Sequence, residues 1–388
     1  MLDWVGLLLR TVLLYSKAIG VTNFEFDWSS GRVFTTSLST LYATVVNFIV
    51  VTLLGYQFTG SSRLFGNVSK LHEYVIIVLT VLRIIAGLIT LLNRWRQRCQ
   101  LMKLTSRFIR LFLSRPEALR ISRWAILGKF LVASLTDFLQ IAISLEAIGR
   151  VDSTLFLGMG LQFYLSAILN LAIAQHFLVM LFVRTDYQLL IRELRQVIGE
   201  SKGLSYHQQR KGAFMTRCCD LADQVEDIAR RQNELNSIVD QLHEIFGIQG
   251  LMVYVGYYIS VVSTTYLTYS VFKYGYTDMG LTHRSVFLAL TWCFFYYLDA
   301  ILNFFTTLSV LDGHKELVRL MEDRTLFAIG LDIRLEQSFE SLQLQLARNP
   351  LRMQIMKMCT ISHSGTLAMF GSLVTHSIIL IQYDMENF

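Results

Sequence analysis

The chain reads as an all-α polytopic membrane protein with seven transmembrane helices, and three observations carry that reading. Hydrophobic residues make up 53% of its 388 positions against 16% charged, with a mean hydropathy of +0.45. Soluble chains carry about 25% charge, and less polar cover than that cannot shield so much apolar surface from water. Seven stretches are apolar over the roughly 20 residues a helix needs to cross the hydrocarbon. Only two prolines occur, Pro116 and Pro350, and neither falls in those stretches. So few prolines also exclude collagen-like, Pro-rich linker and most disordered classes.

Taken in order, residues 4–20 come first. They are apolar but carry Arg10 and Lys17; with no small-residue cleavage site after them they fit an amphipathic helix lying at the interface rather than a signal peptide. The seven spans follow at 35–58, 73–93, 124–148, 155–183, 246–272, 285–311 and 361–383. Lys and Arg orient them. The segment before span one and the second, fourth and sixth loops hold 28 of the 35 basic residues, the odd loops and the C-terminal tail hold 5, and Arg83 and Lys129 lie within spans. That bias places the N-terminus in the cytosol and the C-terminus outside. The net charge of +6 therefore describes topology rather than a nucleic-acid partner. Asn67-Val68-Ser69, a glycosylation sequon, falls in the first external loop, and Cys99, Cys218, Cys219, Cys293 and Cys359 leave no external pair to form a disulfide.

The cytosolic segments are long and patterned. Leu221, Val225, Ile228, Gln232, Leu235, Val239, Leu242 and Phe246 alternate at spacings of four and three. That is a heptad seam with one polar break, running without proline into span five. After span six, Leu317, Leu320, Phe327, Leu331, Leu335, Phe339, Leu342 and Leu346 continue a looser helical pattern up to Pro350. The chain thus divides into a ligand-binding bundle of six spans over 1–311, with cytosolic loops 94–123 and 184–245, anchor helices over 312–360, and a seventh span with its short tail over 361–388. The anchor helices can pack on each other, on neighbouring subunits, or both.

No catalytic constellation is present: no Gly-rich phosphate loop, no H-E-x-x-H, no G-x-S-x-G and no metal-spaced Cys/His cluster. Neither an enzyme nor a cofactor is expected. Charges inside spans point to function instead, because each is costly in hydrocarbon and turns to a bundle interior or water. Lys129, near one end of span three, is expected to snorkel to the interface. Arg83 can pair with Asp137 or Asp299, or it can face a ligand; both readings stand. Gln140, Gln162, Phe163, Tyr164, Tyr266, Trp292, Phe295 and Tyr296 fall in the outer halves of spans three to six. Aromatic walls with few polar groups suit a small organic ligand, and interfacial anchoring accounts for some of these rings. With Arg83, Asp137 and Asp299 they make up the candidate ligand-binding set.

Span seven differs in kind. Thr375, Ile379 and Gln382 lie at i, i+4 and i+7, with Ile378 alongside. In a lone subunit the Gln bonds to a neighbouring span. Around a subunit axis the same face forms a ring of Gln over a ring of Ile, a polar constriction above a hydrophobic gate.

The C-terminal residues Asn349-Pro350-Leu351 and Thr375-His376-Ser377-Ile378-Ile379-Leu380-Ile381-Gln382-Tyr383 resemble the signature of insect gustatory receptors, whose last span ends in Thr-Tyr, five hydrophobic residues and Gln-Phe. His376, Ser377 and Tyr383 depart from that pattern; Thr375 and Gln382 keep it. Residues 1–6 and Asn93-Arg94-Trp95-Arg96-Gln97 further resemble a divergent branch grouped with bitter or aversive taste. The resemblance implies a multi-pass plasma-membrane protein of sensory dendrites, a homotetramer or a heterotetramer with related receptors. It would bind a small organic tastant in each subunit's external half and pass cations through a pore lined by span seven. Its partners would be tastant, cations and membrane lipid, with no nucleic acid. The competing classes are a G-protein-coupled receptor, opposed by the cytosolic N-terminus, the proline-free spans and the missing external disulfide, and a secondary transporter, which predicts inverted repeats and broken helices that the chain lacks.

Overall fold

The computed structural model describes residues 4–27, 32–59, 70–148, 153–206, 211–275, 282–325, 331–355 and 359–387. Within them the elements run α1 (Trp4–Ala18), β1 (Glu25–Asp27), β2 (Arg32–Phe34), α2 (Ser37–Thr59), α3 (Lys70–Arg96), α4 (Arg98–Ser114) and α5 (Pro116–Ile148). They continue with α6 (Ser153–Tyr206), α7 (Lys211–Tyr274), α8 (His283–Thr325), α9 (Ile333–Arg348), β3 (Gln354–Ile355), β4 (Cys359–Thr360) and α10 (His363–Asn387). Two small antiparallel hairpins, β1–β2 and β3–β4, are the only sheets among the described residues. Seven helices are long and apolar enough to cross a membrane: α2, α3, α5, α6, α7, α8 and α10. Each covers one of the expected spans, α2 and α10 starting two residues inside theirs, and the chain is a multi-pass helical membrane protein. Asn67 and Phe327 lie outside the described residues.

Three helices run far past the hydrocarbon. At 1.5 Å per residue, the 54 residues of α6 and 64 of α7 extend about 80 and 95 Å, against roughly 30 Å of bilayer core. No proline interrupts them, and their apolar faces continue beyond the spans, so the backbone has no reason to stop at the membrane edge. Starts are set locally. Pro116 opens α5, where its fixed φ suits a first turn and its missing N–H is no loss. The Asp332 carboxylate caps α9 by accepting from Arg334 N. Gly20 turns the chain out of α1 at φ +74°, where a side chain would be strained and would press on Val46.

The main core lies beyond the spans, where α6, α7, α8 and α9 converge. Every residue of the α7 seam is buried, none more than 6% exposed. Leu335, Phe339, Leu342 and Leu346 of α9 supply the facing layer. The polar break at Gln232 is met by Gln345 of α9, whose Nε2 donates to Gln232 Oε1 at 2.7 Å and to Ala229 O at 2.8 Å. Within the spans α6 is the central helix. Gly87 lets α3 approach it so closely that an added Cβ would sit 2.5 Å from Leu165 Cδ2. On α1, Val5, Leu8 and Leu9 pack toward α5 and α6, while Trp4, Leu7 and Leu14 stay exposed. The other end of that segment is tied down by Tyr164, whose hydroxyl donates to Ile19 O.

Candidate functional site

A cleft opens among α3, α5, α6, α7 and α8. It measures about 700 Å³ including its mouth, and Arg83, Gln140, Ser166, Tyr257, Trp292 and Tyr296 are among its walls. Trp292 and Tyr296 are one turn apart on α8 and stack with centroids 5.1 Å apart and planes 15° apart. Tyr257 of α7 meets Tyr296 at 5.2 Å. Helical spacing thus builds an aromatic wall from two helices, as offset rings prefer. Across it, Gln140 Nε2 donates to Ser166 Oγ at 3.3 Å. Trp292 lines the cleft, and its Nε1 is buried without an acceptor among the described residues.

Arg83 stands in this cleft with no carboxylate partner among the described residues. Both acids that could have paired with it are engaged elsewhere. Asp137 accepts from Asn170 Nδ2 at 2.7 Å. Asp299 takes a 2.6 Å bond from Lys129 Nζ and another from Asn303 Nδ2 at 3.3 Å. The snorkelling expected of Lys129 is therefore overturned. Its side chain is 1% exposed, turned into the bundle, with the ammonium also 5.1 Å from the Phe177 ring centroid. A buried ammonium that finds a carboxylate inside the bundle has no need of the interface.

Of the eleven candidate ligand-binding residues, Arg83, Gln140, Trp292 and Tyr296 line the cleft. Asp137, Gln162, Phe163, Tyr164, Tyr266, Phe295 and Asp299 do not. Both amide ends of Gln162 are buried without partners among the described residues. Tyr266 points to α10 instead: its hydroxyl donates to Asp384 Oδ1 at 2.9 Å, and Lys273 Nζ reaches Asp384 Oδ2 at 3.0 Å. Tyr266 and Asp384 are fully buried. Residues that the spacing argument passed over complete the wall, above all Tyr257 and Ser166. Tyr257 belongs to the same run of span-five tyrosines as Tyr266, and composition alone could not separate the ring that faces the cleft from the ring that faces α10.

α10 stands on one side of the bundle, held mainly by α7 through Leu373, Ser377 and Asp384. Tyr258 of α7 adds bonds to Ser372 Oγ at 2.6 Å and His376 Nδ1 at 2.9 Å. Thr375, Ile378, Ile379 and Gln382 are exposed; Ile379 keeps 54% of its surface. The described residues of a single chain therefore leave that face uncovered along the helix.

Comparison with known proteins places this geometry among chemosensory proteins. The family model described as 7tm chemosensory receptor matches residues 9–387. Gustatory receptors 36c and 36a of Drosophila melanogaster are 50% and 51% identical to the chain, each over the full length of both sequences. Gustatory receptor 59d of the same fly is 33% identical, again end to end. Among solved structures, the olfactory receptor OR5 of Machilis hrabei superposes with a TM-score of 0.67 at 11% identity, covering 98% of this chain and all of that one. The same receptor in complex with eugenol superposes with a TM-score of 0.64 at 10% identity, covering 96% and 97%. The shared fold extends over nearly the whole of both chains.

Proposed function

The chain belongs to the 7tm chemosensory receptor family, within its insect gustatory receptors, and on that premise we propose that it is a tastant-gated, non-selective cation channel of the bitter or aversive branch. One observation carries the pore: the Thr375, Ile378, Ile379 and Gln382 face of α10 is bare while the opposite face is held to α7. Four copies around an axis would cover those faces on each other, with Ile379 rings as a dewetting constriction and Gln382 rings as a polar filter. The helices of 312–360, with the extensions of α6 and α7, would form the anchor that keeps the copies together beneath the six-span bundle.

The tastant, a small organic molecule, would enter the aromatic cleft. The stacked Trp292 and Tyr296 offer it π-faces, Arg83 a hydrogen-bond fork without a carboxylate competitor, and Trp292 Nε1 an unused donor. A small aromatic molecule such as the eugenol held by OR5 is of the right class for such walls. Binding would favour the state in which the α10 helices part. The excess of Lys and Arg on the side of the helical extensions supports a cytosolic N-terminus and anchor, with α10 ending outside, in the plasma membrane of a sensory dendrite.

Two measurements test this. Recordings from cells expressing the chain, alone or with related receptors, should give tastant-evoked cation currents whose ion selectivity changes in Gln382→Ala and whose closed-state leak rises in Ile379→Ala. Unaltered selectivity and leak in both would remove α10 from the pore. An epitope tag at the N-terminus should be reachable only after permeabilisation; staining of intact cells would reverse the orientation and revive a G-protein-coupled receptor.

A further inference from the structure

A second cavity adjoins the aromatic cleft on the side of the helical extensions. Its unfilled space, the open mouth included, is about 800 Å³, and it shares only Leu169, Ile173, Val253 and Tyr257 with the cleft, so Tyr257 is part of the partition. Its walls are mostly apolar and aromatic, with Phe246, Tyr254 and Phe304 prominent. Tyr254 and Phe304 meet edge to face at 4.8 Å. Ile361, two residues before α10 begins, closes one side.

Polar side chains in the wall of this cavity are few (Thr90, His176, His243, Gln249, Asn303 and Thr307, with the tyrosine hydroxyls), and two of them carry an unmet acceptor. Gln249 lines it and is only 3% exposed; its Nε2 donates to Thr90 O at 3.3 Å, which leaves Oε1 with no donor among the described residues. Asn303 lines it as well. Its Nδ2 is spent on Asp299 O at 2.8 Å, and its Oδ1 is also buried without a donor. Two residues in the wall of one apolar space, on α7 and α8, thus each carry an amide oxygen with unused acceptor capacity. A buried acceptor left without a donor is costly, so such atoms call for a partner. No Asp or Glu lines the cavity, so an ammonium ion would find no counter-charge there.

We infer that this basal cavity is a second ligand site, distinct from the aromatic cleft, for a neutral and mainly apolar molecule that carries a hydrogen-bond donor for Gln249 Oε1 and Asn303 Oδ1. An apolar body would replace empty space against the aromatic walls, and the donor would satisfy the amide oxygens. Through Ile361 the bound molecule would touch the root of α10, apart from any contact in the cleft. The inference stands on the cavity alone and holds whether or not the cleft binds tastant.

Glycines on α7 make the two spaces separable. Gly250 lines the basal cavity, and a Cβ built on it meets nothing within 4 Å; Gly256 lines the cleft, where a Cβ would meet only Leu82 Cδ2 at an ordinary 3.9 Å. Gly250→Leu therefore fills the basal cavity and Gly256→Leu the cleft. The experiment measures binding of 4-ethylphenol, and of its donor-free methyl ether, to the purified full-length protein in lipid nanodiscs, by calorimetry and by the shift in melting temperature. The wild type should bind the phenol roughly tenfold more tightly than the ether, the worth of one buried hydrogen bond. Gly250→Leu should lose phenol binding while Gly256→Leu retains it. Gln249→Leu should bring the phenol down to the ether. Equal affinity of phenol and ether in the wild type, no binding of either, or loss in Gly256→Leu with retention in Gly250→Leu would each overturn the site. The phenol-to-ether ratio is read in Gly256→Leu as well, where the cleft is filled and cannot supply it, and Gln249→Leu, which adds no bulk, keeps the test decisive should Gly250→Leu fail to fold.

Discussion

The seam of α7 and the free face of α10 are both apolar stripes at helical spacing, and they end in opposite environments. From Leu221 to Phe246 the α7 stripe is covered by α6, α8 and α9, and even its polar break at Gln232 finds a partner in Gln345. Among the described side chains of α10 only Leu373, Ser377 and Asp384 are buried, and Val374, Ile378 and Ile379 remain bare. A stripe tells how a helix must be covered; whether its own chain does the covering depends on what else the fold brings alongside. The difference also separates two kinds of cement. Beyond the spans the helices are held by apolar packing. α10 is held by polar bonds at two heights, Tyr258 to Ser372 and His376, and Tyr266 with Lys273 to Asp384. Few apolar contacts and a few directional bonds are what an element of low local stability shows.

Substitutions should reproduce that contrast in order of size. Phe339→Ala empties a fully buried ring position in the α9 layer, beneath the Arg324 guanidinium 3.7 Å from the ring centroid, and should cost about 3–5 kcal/mol, read as a fall in melting temperature. A loss under about 1 kcal/mol would mean that the seam is not the chain's stabilising core. Lys129→Met strands the Asp299 carboxylate inside the bundle and should cost about 3 kcal/mol. The double variant with Asp299→Leu should recover most of it, and failure to recover would show that the pair's geometry, not charge compensation, matters. Asp384→Asn keeps an acceptor for Tyr266 but gives up the ion pair with Lys273, for about 1–2 kcal/mol. Its sharper readout is faster exchange of the amide hydrogens of α10 with those of α9 unchanged. Ile379→Ala should leave the stability of the single subunit within about 0.5 kcal/mol, since the side chain touches little in its own chain. A large loss in the isolated subunit would mean that this face is packed after all, and the contrast with α7 would collapse.

Much of the fold is legible in residue order. Seven apolar stretches of sufficient length, free of proline, became seven helices, and the four-and-three spacing from Leu221 became a buried seam, because transfer from water and helical geometry act on neighbouring residues. The helices overrun the spans because nothing local ends them. The candidate site was legible only in part. Trp292 and Tyr296 share a helix face and so could be paired by spacing, and Arg83 could be singled out as a charge in hydrocarbon. Lys129 could not be assigned, because Asp299 lies 170 residues away and no local rule couples them. Tyr257 and Tyr266, nine residues apart on one helix, face different partners for reasons set by α8 and α10, not by α7.

Sequence by itself determined the class of protein, the number of spans, the charge bias between the two sides and the existence of two apolar stripes. Each of these is a sum over nearby residues, and sums over neighbours do not need a fold. Tertiary structure alone decided which acid meets Lys129, which rings face a cavity, that two residues of an apolar cavity wall carry amide oxygens without donors among the described residues, and that one stripe is covered there while the other is left bare. Those are relations between helices whose rotation and depth are fixed only when all of them pack together.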